Sequence, residues 1–166
     1  MSKAEVARGP ATTPAARLHT PKHDRPLDVY SYAAAETLRH DRRPDEAEPE
    51  FRKALSLQSS LVSRFPDVVP YKAWKAIIQD ALAKLLSDHR QMKEACSLLE
   101  ASTAALRKIR ETEPEVPYID RLLKRSYDNL ADVYVRLAQE DLAAEALRRA
   151  EQCREDRRPP PPLPRD

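Results

Sequence analysis

Two carboxylates, Asp128 and Asp132, stand four residues apart in a segment of helical apolar spacing, and that separation puts both on one helix face. Such a pair is raw material for a metal site or an acid–base couple. A metal needs further ligands, and no His or third carboxylate stands beside the two at helical spacing. A solvated helix face is the simpler account of them. His40 and His89 fall at interhelix turns, where an exposed polar residue is expected in any case. His19 and His23 lie in a proline-rich leader, too mobile a setting to hold catalytic geometry to about 0.5 Å. Cys96 and Cys153 are far apart in helical patterns, which suits small apolar filler better than a metal cluster or a disulfide framework. Gly9 is the only glycine, so no glycine loop exists to cradle phosphate. These residues form no convergent catalytic set, and neither an enzyme nor a cofactor nor a metal is expected.

The elements that carry these residues repeat. Ala35, Ala83 and Ala131 are spaced by 48 residues, and Ala47, Ala95 and Ala143 keep the same interval. Three further columns share the register: Leu38, Leu86 and Tyr134; Phe51, Leu99 and Leu147; Ala54, Ser102 and Ala150. A fixed period of tens of residues marks an array in which each unit must stack on a neighbour to bury its apolar face. Within a unit the spacing is helical: Trp74, Ile77, Ile78, Ala81, Leu82, Leu85 and Leu86 step by three and four, as one helix face does. A polar turn at Ser87 to Arg90 separates them from Ala95, Leu98, Leu99, Ser102, Leu106 and Ile109. Each unit is therefore expected to be a helical hairpin, with the alanines allowing close helix approach.

The quartets Ala35, Ala47, Phe51 and Ala54; Ala83, Ala95, Leu99 and Ser102; and Ala131, Ala143, Leu147 and Ala150 resemble the tetratricopeptide repeat over roughly residues 27–154. The usual period of that family is 34, so each unit here carries fourteen more residues, close to four turns at about 3.6 residues each. Longer helices would absorb them without rotating the buried stripe. The proline-containing stretches Arg64 to Tyr71 and Glu113 to Tyr118 are similar to the long repeats of planctomycete proteins, often attached to serine/threonine kinases, which implies a bacterial lineage. The resemblance implies an all-α, right-handed solenoid of three helix-turn-helix hairpins with disordered termini. Its units would span about 27–69, 70–117 and 118–154, between a basic proline-rich leader (1–26) and a proline-rich tail (155–166).

It also implies a groove on the first helix of each hairpin, lined by Tyr32, Glu36, Asp80, Lys84, Asp128 and Asp132. Four of these six are acidic. Family members that capture acidic chaperone C-termini use Lys and Asn at such places, so this groove has the opposite sign and points to a basic peptide. The expected function is thus a non-catalytic protein–protein interaction scaffold, the alternative being a structural protein that self-assembles into homo-oligomers through an uncapped end after Arg154.

Composition agrees with that class. The formal charge of +2 is concentrated in the termini: residues 1–26 hold five basic against two acidic side chains, and 154–166 hold four against three. The repeat core is left at about −2, a weak basis for phosphate neutralisation, so nucleic acid is not an expected partner. No stretch approaches a membrane span, and the cytoplasm is the expected compartment. The Arg158 to Arg165 tail favours polyproline II, as a ligand for adaptor domains or as a plain spacer. Pro49 falls two residues after Ala47, so the second helix is expected to begin near Glu48 or to kink there.

Overall fold

The computed structural model describes residues 27–153. The leader, the proline-rich tail with its polyproline II segment, and His19 and His23 lie outside the described residues. Six α-helices make up the fold: α1 (Leu27–His40), α2 (Pro44–Arg64), α3 (Val69–Asp88), α4 (Met92–Thr112), α5 (Ile119–Arg136) and α6 (Glu140–Glu151). Consecutive helices pack against one another along the chain, and α3 also touches α5. The domain is all-α, built from three hairpins in sequence order, and no strand occurs among the described residues.

The hairpin turns explain how a chain with one glycine closes three tight helix ends. Arg42, Arg90 and Ala138 adopt φ of 58°, 63° and 56°, and they too are spaced by 48 residues. At each, the next residue donates its N–H five residues back: Arg43 to the Leu38 carbonyl at 2.9 Å, Gln91 to Leu86 at 2.8 Å and Gln139 to Tyr134 at 2.9 Å. With the companion bonds from Arg42 to Arg39, Arg90 to Ser87 and Ala138 to Val135, this is a Schellman closure, which requires one left-handed residue. The residue that completes the closure also begins the next helix, because its carbonyl accepts from Ala47, Ala95 or Ala143 at 3.0–3.1 Å. Only three residues separate the helices, and the recurring alanines sit on the first turn beyond.

The added length of each unit resides in the helices, α2 and α4 having 21 residues each and α3 having 20. The connections between hairpins repeat as well: Phe65 and Glu113 cap α2 and α4 through Leu61 and Ile109. The core follows the columns. Ala35, Ala83, Ala47, Ala95, Phe51, Leu99, Ala54 and Ser102 are at most 1% exposed. Phe51 and Leu99 lie in the core shared with the next hairpin, a burial worth about 2–3 kcal/mol for each side chain. Leu147 breaks the column at 48% exposed, since no hairpin follows α6 among the described residues.

Pro49 is accommodated differently from expectation. α2 begins at Pro44, where a missing N–H costs nothing, and continues through Pro49. Pro49 lies early in the helix and its absence as a donor affects only the Asp45 carbonyl near the helix start.

The left-handed turns predict a stability gain. A non-glycine residue pays roughly 1–2 kcal/mol to sit there, partly offset by the greater freedom of glycine in the unfolded chain. Replacing Arg42, Arg90 and Ala138 together by Gly is expected to stabilise the domain by about 2 kcal/mol and to raise Tm by roughly 5 °C. A calorimetric scan showing a lower Tm would mean that these turns do not persist in solution.

Candidate binding face along α1, α3 and α5

The six residues expected to line a groove come from the odd-numbered helices and do not behave alike. Tyr32 and Glu36 of α1 and Asp80 and Lys84 of α3 line one cavity of about 310 Å³, together with Arg39, Arg125 and Asn129. Asp132 lines a second of about 250 Å³ with Lys84, Asn129 and Arg136. Lys84 and Asn129 are common to both. Asp128 is half-buried on α5 and lines neither cavity.

The Tyr32 ring is held edge-on against Phe51 and Trp74, with centroids 5.8 and 6.1 Å away. This aromatic cluster ties α1 to α2 and α3 and fixes one wall of the first cavity. Burial, reinforced by Glu36, raises the Tyr32 phenol above its ordinary pKa, so the hydroxyl is present as a neutral donor.

The acidic character expected of this face is cancelled residue by residue. Glu36 accepts from Arg39 at 2.6 Å, Asp128 from Lys124 at 2.9 Å, and Asp132 pairs with Arg136 at 3.0 Å. These partners sit three or four positions away on the same helix, where oppositely charged side chains meet. Their spacing was visible in the sequence, although attention to groove positions alone passes over them. The fourth partner, Arg125, belongs to α5 and reaches Asp80 of α3 at 3.5 Å, a contact that only the packing of α3 on α5 creates. Lys84 is exposed and forms no ion pair with a described residue. Asp88, which also lines the second cavity, offsets it in charge, so the two cavities together carry as many acidic as basic side chains.

Asp80 is also not a solvent-facing groove charge, being only 3% exposed. Its Oδ2 accepts from the Ser126 hydroxyl at 2.6 Å. Ser126 Oγ lies 3.2 Å from Ser102 Oγ, which is 3.3 Å from the Ala76 carbonyl. With the Ser126 proton committed to Asp80, the single Ser102 proton has two acceptors within reach, the Ser126 oxygen on α5 and the Ala76 carbonyl on α3. The chain of hydrogen bonds joins α3, α4 and α5 through otherwise apolar core, and the polar member of the Ala54–Ser102–Ala150 column finds its purpose there. Oδ1 of Asp80 is buried without a hydrogen-bond partner among the described residues. Burial pushes the Asp80 carboxyl above the usual aspartate range, with Ser126 and Arg125 opposing the shift.

His40 is exposed at the end of α1 and His89 is half-buried at the end of α3. Cys96 and Cys153 are free thiols; burial, with Glu100 adding to it, raises the Cys96 thiol to about 11, which keeps it protonated and unreactive at neutral pH. No helix among the described residues is long and apolar enough to cross a membrane. What this face can do chemically is pair charges, donate hydrogen bonds and stack against an aromatic wall. No family model and no curated protein sequence matches the chain.

The raised carboxyl of Asp80 has a pH signature. A carboxyl whose native pKa exceeds its unfolded value binds a proton on folding between the two, so its contribution favours the native state below that window and turns unfavourable as pH rises through it. Asp80→Asn retains an acceptor for Ser126 and removes the titration. In urea denaturation, the variant is expected to gain stability relative to the native sequence between pH 4 and pH 7. A relative loss over that range would show that the ionised carboxylate is favoured by its surroundings.

Proposed function

We propose that the chain is a non-catalytic protein-interaction module of the tetratricopeptide kind, a right-handed solenoid of three long hairpins whose α1, α3 and α5 face receives a peptide or a segment of a partner protein. The observation that carries this is the pair of adjoining cavities along that face, which share Lys84 and Asn129 and end on the aromatic wall of Tyr32. The equal spacing of the helix-turn geometry across three hairpins supports the architecture.

The ligand differs from a simply basic peptide. With Glu36, Asp128 and Asp132 each holding a basic side chain and Asp80 buried, the face offers ion pairs that a ligand can exchange and, in Lys84, an exposed ammonium outside any ion pair with a described residue. A peptide of mixed charge that sets a carboxylate opposite Lys84 fits best. Trp74, the sole tryptophan, touches Tyr32 and reports on occupancy through its fluorescence. Titration with basic, acidic and mixed-charge peptides is expected to rank the mixed set first, and Lys84→Glu to weaken that binding by about tenfold. Equal affinity of the native and variant proteins would place binding elsewhere.

One observation favours self-assembly as a second reading. Leu142, Leu147 and Val135 are 47%, 48% and 60% exposed at the α5–α6 end, and Leu147 occupies the column position that Phe51 and Leu99 fill beneath a following hairpin. Stacking of a further copy on that end would bury it. Sedimentation velocity is expected to show oligomers that Leu147→Glu dissociates. Monomer alone at the highest soluble concentration excludes this second role.

A further inference from the structure

A wider cavity lies on the other side of α3. On a helix of about 3.6 residues per turn, Lys72, Lys75 and Gln79 project opposite to the strip of Ile77, Asp80, Ala81 and Lys84 that borders the first cavity. They floor a groove of about 500 Å³ with α2 and α4 as its walls, Val62 on one side and Ala101, Ala105 and Lys108 on the other. Arg52, in the first half of α2, bridges to the first turn of α4 by pairing with Glu94 at 2.7 Å. The groove lies beyond that bridge, towards their C-terminal ends.

Three features of this groove call for a ligand. Lys72, Lys75 and Lys108 form no ion pair or hydrogen bond through their side chains with any described residue, whereas most basic residues of the opposite face are paired. The Asp67 and Glu113 carboxylates border the groove but leave it with a positive excess. Gln79 is only 7% exposed, and its side chain lines the groove with an amide that makes no hydrogen bond to a described residue and is not sealed in the core. Between the lysines the lining is aliphatic, including Ile109 at 3% exposed.

We propose that this groove is a second peptide site, which takes an extended segment of a partner protein carrying both acidic and aliphatic side chains. The lysines select carboxylates and the aliphatic lining takes the apolar residues. Gln79 discriminates further: its side chain offers one donor group and one acceptor, the complement of a main-chain peptide unit, whereas a phosphate would use only the NH₂. From Ala101 to Glu113 the α4 wall runs about 18 Å at 1.5 Å per residue, which matches roughly five to six residues of extended chain. The site is independent of the α1, α3 and α5 face and stands whether or not that face binds anything.

The test is an anisotropy titration of the full chain with three labelled probes: an octapeptide alternating Glu and Leu, the same peptide with Lys for Glu, and a single-stranded oligonucleotide. The Glu–Leu peptide is expected to bind most tightly. Lys72→Gln, Lys75→Gln and Lys108→Gln combined should weaken it about tenfold and flatten its salt dependence. Gln79→Leu should weaken it with the salt dependence unchanged. Amide NMR shifts on adding the peptide are expected at Ala101 and Ala105, a readout that needs no variant to fold. Tighter binding of the oligonucleotide, undiminished affinity in the triple variant, or shifts confined to α1 and α5 would each overturn the proposal.

Discussion

A helical hairpin of this kind has more apolar surface than its two helices can cover, and the need to place the bulky column residue under the next hairpin organises everything else. Phe51 and Leu99 are buried in this way, and the alanine columns beside them keep the helices close enough for that burial to be complete. Leu147 shows the same demand unmet, because nothing described lies beyond α6. Close approach in turn requires short turns, and the turns are short only because a left-handed residue lets one backbone segment close a helix and open the next. Arg42, Arg90 and Ala138 accept that conformation without glycine, so packing across the hairpin outweighs a local backbone cost of roughly 1–2 kcal/mol.

The central position of α3 follows from the same stacking. It is packed by α2, α4 and α5, and so much of its circumference is covered that Gln79 and Asp80 are buried despite being polar. The two solve burial differently. Asp80 acquires two serines and Arg125, a polar seam that binds three helices into one arrangement, while Gln79 keeps an unpaired amide at the edge of a cavity. Adjacent residues of one helix thus serve opposite faces of the domain, one as structure and the other as an unfilled contact.

Charge is distributed by a comparable logic. On the α1, α3 and α5 face, basic residues one turn from each acid neutralise it within the helix, and exposed pairs of this type contribute little to stability. Their effect is on recognition, since they remove the net negative field that a count of groove positions suggests. On the opposite side of α3 the lysines lack such partners. The two faces therefore differ in what they can attract, although the core as a whole is close to neutral.

The helical class and the pairing of helices were legible in the residues themselves, because alanine, leucine and aromatic side chains recur at intervals of three, four and 48 that only stacked helices satisfy. The recurring turns were legible in position but not in conformation: Arg, Arg and Ala carry no left-handed preference, and the geometry emerges from helices already fixed on both sides. Pro49 misled for a related reason, since the helix start at Pro44 depends on where the turn closes. At the binding face, the partners of Glu36, Asp128 and Asp132 could be read from helical spacing, whereas the burial of Asp80 and its approach to Arg125, 45 residues away, could not. Linear pattern determines which residues share a helix face, a property of one element. Whether that face meets solvent or another helix is a property of the stack, and it was decided only when α3 was enclosed by its neighbours.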